Sequence, residues 1–227
     1  MTAVNQARVT LFAGHYGSGK TNVALNYARH LKALGREVAL ADLDIVNPYF
    51  RTKDSAALLA AEGIELVVSD FANSNVDFPA LPKEVYAVVS DRSRSLVIDV
   101  GGDDRGALAL GRWRDDILSE RDYAMLAVVN FSRPLTRTPA AALEVLREVE
   151  AAAGIPFTGL VNDTNLGPET TAQYVRDSAA PAAELARMLG VSVAFTCAER
   201  RLSAELKPFP GPVFPLDLQR LYYQLRA

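Results

Sequence analysis

The chain has 227 residues with 24 basic and 27 acidic side chains, a formal charge of −3, which suits one large α/β domain and offers no basic surface for a nucleic-acid backbone. Hydrophobic residues make up 49% and charged residues 22%, a balance that sustains a sizeable core without staples and excludes disorder. A single cysteine, Cys197, can form neither an internal disulfide nor a CxxC metal clamp and is expected as a small buried hydrophobe in a reducing compartment.

The first stretch, MTAVNQARVTLFAG, has no charged-then-apolar signal pattern, and no apolar run approaches the roughly 18 residues needed to cross a bilayer. The expected location is the cytoplasm, with no transmembrane segment. From Val9 to Ala13 an apolar run predicts the first strand. A glycine-rich loop follows, and then a helix from about Lys20 to Leu34 that stops at Gly35.

The loop reads Gly14, His15, Tyr16, Gly17, Ser18, Gly19, Lys20, Thr21, a complete match to G-x-x-x-x-G-K-[ST]. With glycine near 7% of residues, such a match arises by chance in about one chain in a hundred of this length. Its context, after an apolar strand and opening a helix, is the one that phosphate binding requires. Glycines let the backbone approach an anion, so that successive N–H groups and the helix N-terminus face the phosphates. Lys20 then supplies a charge to the β- and γ-phosphates, and the Thr21 hydroxyl is a ligand for Mg²⁺.

Further strands are predicted at Glu37–Leu43, Ile64–Val68, Leu96–Val100, Tyr123–Asn130, Phe157–Asn162 and Val191–Phe195. Helical stretches lie between them. The clearest is Pro139 to Ala153, with Thr138 as its cap, Pro139 in the first helical position and Gly154 at its end. This alternation predicts an α/β fold, a three-layer sandwich around a mostly parallel sheet, as a single domain over residues 1–227. The proline-rich run from Lys207 to Pro215 is expected as an ordered loop before a last helix, Leu216 to Arg226. That helix docks on the domain or touches a membrane surface.

Two acidic strand ends fall where a nucleotide enzyme needs carboxylates. After EVALADL come Asp42 and Asp44, and after SLVIDV come Asp99, Gly101 and Gly102. Asp99 is expected to hold a metal-bound water, and the Gly102 N–H to sense the γ-phosphate. Each acid is otherwise a helix cap, the role expected of Asp103 and Asp104, which are not read as catalytic. The segment Asn47, Pro48, Tyr49, Phe50, Arg51 is a switch loop displaying its aromatics and cation to a partner, or ordinary core contact.

In their order GHYGSGKT, DLD, VIDVGG and LVNDTN, these pieces resemble the MinD/ParA/CobQ group of P-loop ATPases, the CobQ/CobB/MinD/ParA nucleotide-binding domain family. The resemblance covers essentially the whole chain. It lies within the class that also holds nitrogenase iron protein, signal-recognition GTPases and dethiobiotin synthetase.

The resemblance implies ATP and Mg²⁺ as cofactors. It gives a nucleotide-binding set of Gly14 to Thr21 with Asn22 and Asn162, a metal set of Thr21, Asp42 and Asp99, and catalytic roles for Lys20 and Asp44, the latter positioning the hydrolytic water. Asn162 resembles the asparagine that hydrogen-bonds adenine, and the run Asn162, Asp163, Thr164, Asn165 lacks the Asn-Lys-x-Asp guanine pattern, which favours ATP over GTP. His15 departs from the pattern. Membrane-site and plasmid-partitioning members carry a lysine there that reaches across a dimer, and imidazole is shorter and mostly neutral near pH 7.

The function implied is an ATPase acting as a nucleotide-dependent switch toward a protein partner, with an ATP-dependent homodimer as one form of that contact. The alternative is a biosynthetic enzyme that activates a small carboxylate with ATP, resembling dethiobiotin synthetase or the cobyrinate amidation enzymes. A metal-site maturation GTPase is a third class, but the usual Cys/His constellation is missing, with one cysteine and only His15 and His30.

Overall fold

Strands that carry helices on both faces read as continuous apolar runs, because neither face meets water. Strand β1, Val9–Ala13, is such a run, with all five residues buried. The computed structural model describes residues 7–43, 53–68, 88–102, 107, 110–111 and 113–218. Among them the further strands are β2 (Val38–Asp42), β3 (Ile64–Val68), β4 (Ser95–Asp99), β5 (Tyr123–Val129), β6 (Gly159–Asn162), β7 (Val193–Glu199) and β8 (Val213–Leu216). The main helices are α1 (Lys20–Ala33), α2 (Lys53–Ala61), α3 (Arg114–Glu120), α4 (Pro139–Ala153), α5 (Ala172–Asp177) and α6 (Ala179–Leu189).

The strands form one sheet in the order β3-β2-β4-β1-β5-β6-β7-β8, and every pairing is parallel. Parallel neighbours cannot be joined by tight hairpins, so the chain crosses over the faces of the sheet. One face packs against α1 and α2, where Phe12, Leu40, Val97 and Leu126 meet Val23, Leu31 and Leu59. The opposite face packs against α3, α4 and α6, where Leu11, Ile98 and Ala127 meet Ile117, Leu146 and Leu185. The result is three layers, as the alternating pattern predicts. No helix among the described residues is long and apolar enough to cross a membrane.

Helix α4 shows how local chemistry sets the boundaries. The Thr138 hydroxyl accepts the Ala141 N–H, Pro139 takes the first turn, and Gly154 ends the helix in the left-handed region at φ 64°. The C-terminal expectation needs correction. Val213–Leu216 is a strand paired with β7, so Leu216 does not begin a helix and Pro215 lies within the sheet. Strand β8 is at the edge of the sheet, the position where proline's missing N–H removes no bond from an inner ladder. Residues 219–227, the rest of the expected helix, lie outside the described residues.

Candidate functional site

The central strand β1 runs between β4 and β5, so the loop leaving its carboxyl end is flanked by the ends of both. In open parallel sheets this is where ligands bind. Gly19 caps α1 with φ 92° and ψ 7°, and the first intrahelical bond runs from the Val23 N–H to the Gly19 carbonyl at 3.0 Å. The first turn of α1 therefore presents N–H groups that the helix itself does not use, together with the positive end of its dipole.

Within the loop, the Ser18 N–H donates to the His15 carbonyl at 3.1 Å, and Lys20 Nζ donates to the same oxygen at 3.2 Å. The His15 ring lies 3.0 Å from the Tyr16 carbonyl through Nδ1. A carbonyl only accepts, so Nδ1 carries the proton in that contact. Ser18 is buried, and its Oγ has no hydrogen-bond partner among the described residues. Such a group suits an anion acceptor. Tyr16 is 59% exposed at the crest.

The residues expected to hold a metal come from separate elements. Thr21, in the first turn of α1, donates its hydroxyl to Asp99 Oδ2 at the end of β4, 2.6 Å away. Asp99 is buried and paired in register with Asp42 of β2. Alternation along the strands points both carboxylates to the α1 face, since their neighbours Ile98 and Ala41 belong to the other core. A hydroxyl and a carboxylate are hard oxygen donors, the kind Mg²⁺ takes while keeping several waters and phosphate oxygens. Among the described residues no group of three or more His, Cys, Asp or Glu side chains is placed to hold a metal, so this donor set fits an ion shared with phosphates rather than a closed protein cage.

Beyond Asp99 the chain turns at Gly101 and Gly102. A Cβ on Gly102 would lie 2.9 Å from Lys20 Nζ and from the Tyr16 backbone, so only glycine allows this approach to the loop. Asp44, the residues 47–51 and Asp103 to Gly106 lie outside the described residues. Leu43, the last described residue before Asp44, is fastened by its N–H to the Asp99 carbonyl at 2.9 Å.

On the opposite side of the loop, β6 brings Asn162 and Asp163. Asn162 is fully buried and spends its amide internally. Nδ2 donates to Ser178 Oγ at 2.7 Å, and Oδ1 accepts the Thr164 hydroxyl at 2.7 Å and the Thr164 N–H at 3.2 Å. A cleft next to it is lined by Thr164, Asn165, Gly167, Ala198, Leu216 and Leu218, among others, without Asn162. Asn22 likewise contacts its own helix, its Oδ1 accepting from Asn26 Nδ2 at 3.3 Å. Asp163 is buried against Gly19, and burial pushes its carboxyl well above the usual carboxylate range, with Arg133 opposing that shift. Cys197 faces it, and its thiol is pushed up by burial and then by Asp163.

Asp163 and Arg133 were not among the expected site residues. Arg133 lies in no motif and Asp163 only beside Asn162 in the LVNDTN run, because each meets the loop through the strand order, in which β5 adjoins β1 and β6 adjoins β5.

No protein-family model matches the chain, and no curated protein matches it. In fold it is similar to the cell division protein FtsY of Thermotoga maritima, with a TM-score of 0.60 and 17% identity over 85% of this chain and 63% of that one. FtsY of Mycoplasma mycoides is similar at a TM-score of 0.53 and 16% identity, over 84% of this chain and 60% of that one. The signal recognition particle 54 kDa protein of Aeropyrum pernix, solved in complex with GDP, is similar at a TM-score of 0.53 and 16% identity, over 86% and 42%. The chain spans less than two thirds of the length of each of these structures. At such identity the likeness speaks for the fold, and the fold is that of the P-loop nucleoside triphosphatases.

Proposed function

We propose that the chain binds Mg²⁺-ATP in the loop from Gly14 to Thr21, hydrolyses it slowly, and uses its nucleotide state to set the shape of the loops after Asp44 and Asp99 toward a protein partner. The observation that carries this reading is the 2.6 Å contact between Thr21 Oγ1 and Asp99 Oδ2 beside the phosphate loop. Two oxygen donors of the right hardness, from distant parts of the chain, meet there and would hold Mg²⁺ beside bound phosphates. Thr21 would hold the ion directly and Asp99 through water, with Asp42 in the neighbouring register. When bound, the ion neutralises charge on the phosphates.

The chain's own groups do the rest. The first turn of α1 and the loop N–H groups hold the phosphates, and Lys20 leaves the His15 carbonyl to pair with their oxygens. Asp44 orients the attacking water, and Gly102, packed beside Lys20, reports the γ-phosphate to the segment that follows it. The cleft beside Asp163 receives the base, with Leu216 and Leu218 as apolar walls. Asn162 braces that cleft rather than reading the base edge. ATP rather than GTP rests on the run from Asn162 to Asn165, which lacks the Asn-Lys-x-Asp pattern. Tyr16, exposed at the crest, belongs to the face that meets a partner or a second copy.

Calorimetric titration with Mg²⁺-ATP tests the reading. Lys20→Ala removes a charge-assisted contact and is expected to weaken binding by about 10- to 100-fold. The fold survives, because the His15 carbonyl keeps the Ser18 N–H as a partner. Binding of the variant at the parent's affinity overturns it.

A further inference from the structure

Arg133 stands in the turn after β5, outside every motif above, and its Nε donates to the Gly17 carbonyl at 2.8 Å. A long side chain is ordered there because its turn is braced. The Arg133 N–H bonds the Asn130 carbonyl at 3.2 Å, and its own carbonyl takes the Thr136 N–H at 3.1 Å. The Thr136 hydroxyl donates to the Asn130 carbonyl at 2.6 Å, and Asn130 Oδ1 accepts the Ser132 N–H at 2.9 Å. Pro134 opens the short 3-10 turn that follows.

Several of the ordered arginines are neutralised by an acid, and Arg133 is not. Arg8, Arg29, Arg94, Arg147 and Arg200 each meet a carboxylate, whereas Arg133 forms no ion pair among the described residues and is bonded to a neutral carbonyl. Its permanent charge is felt by the buried Asp163 carboxyl but is held in no such ion pair. It lies on the β5 and β6 side of the loop, opposite the Thr21 and Asp99 pair.

The contact also reaches Lys20. A trans peptide fixes the Gly17 carbonyl and the Ser18 N–H in opposite directions, and that N–H bonds the same His15 carbonyl that holds Lys20 Nζ. Arg133 and Lys20 thus grip two ends of one turn.

We propose that Arg133 is a positioning residue for the nucleotide's phosphates, acting within one chain: it fixes the Gly17–Ser18 peptide and sets a second permanent positive charge beside the triphosphate. This rests on the reading of residues 14–21 as the nucleotide site. It follows that tight binding of a di- or triphosphate needs no cation from a second copy.

The test titrates the parent, Arg133→Gln and Arg133→Lys with Mg²⁺-ADP and Mg²⁺-ATP at low and high salt. Arg133→Gln is expected to bind both nucleotides about 10-fold more weakly with an unchanged unfolding midpoint, since Arg133 is exposed. Arg133→Lys recovers part of the loss at low salt and little at high salt, because it keeps charge but not the Nε–H that holds the Gly17 carbonyl. A parent that binds with an Arg133→Gln variant within twofold of it overturns this inference alone, as does a lysine variant no better than glutamine at low salt. A parent that binds neither nucleotide overturns the site and this role together.

Discussion

The Asp163 carboxylate occupies the space that a side chain on Gly19 would need: a Cβ built on Gly19 would fall 1.8 Å from Asp163 Oδ2. Neither partner can easily retreat. The Asp163 N–H is held by the Val129 carbonyl at 2.8 Å, and Gly19 must hold φ 92° to end the loop and begin α1. The phosphate loop and the end of β6 are one packed unit, so a fault in either is felt in both.

Gly19→Ala is therefore expected to damage binding and stability together. The left-handed backbone alone costs alanine about 1 to 2 kcal/mol, and the methyl must also displace a buried carboxyl. Chemical denaturation should show a lower midpoint, and calorimetry no measurable Mg²⁺-ATP binding. A variant with the parent's stability and affinity would mean that Asp163 is not packed against the loop in solution.

The reach of the sequence is clearest where local chemistry decides. Strands β1 and β3 and helix α4 lie where their apolar runs, cap and terminating glycine put them, and the pairing of Thr21 with Asp99 follows from the motifs on which they sit. Strand β7 runs on past Phe195 to Glu199 because it pairs there with β8, and Thr196 and Glu199, which break the apolar pattern, hide that extension. Strand β8 is hidden by Pro215 within it, which an edge position tolerates, and by the prolines that precede it. Arg133 and Asp163 were illegible for another reason. Their meaning lies in the strand order, which no stretch of local sequence carries.

Asp163 also gives a dependence on pH. Burial raises its carboxyl well above the usual range in the folded state, so between the unfolded and folded values the native chain binds more protons, and stability falls as pH rises through that window. Asp163→Asn removes this titration. Relative to the parent, the variant should be more stable at high pH than at low pH, as urea midpoints across pH 4 to 9 would show. A difference independent of pH would place the Asp163 carboxyl in water.

Asn162→Ala should act on stability rather than on the choice of base. It strips the acceptor of the Thr164 hydroxyl and N–H and one partner of Ser178, a loss of about 1 to 3 kcal/mol for buried groups. The parent should bind ATP more tightly than GTP, and the variant should keep that ratio in competition binding. An unchanged midpoint with a ratio shifted toward one would return the base contact to Asn162.

The last prediction separates binding from chemistry. Asp44 follows Leu43, which is tied to the Asp99 carbonyl, and is assigned a task different from that of Asp42, holding the attacking water in line. Asp44→Asn keeps size and hydrogen-bonding capacity while losing the charge. Since Thr21, Asp99 and the phosphate loop are untouched, Mg²⁺-ATP should bind with the parent's affinity while turnover falls by about 10² to 10³, the scale of a lost base or positioning group. Asp99→Asn should behave differently. Its carboxylate is the acceptor of the Thr21 hydroxyl, so the amide weakens the metal shell, and the Mg²⁺ dependence of binding should shift to higher concentration along with the fall in rate. Phosphate release under saturating Mg²⁺-ATP, measured beside calorimetric affinity, distinguishes the two. Parent-like turnover of Asp44→Asn removes Asp44 from the chemistry and turns attention to Asp42, the carboxylate in register with Asp99.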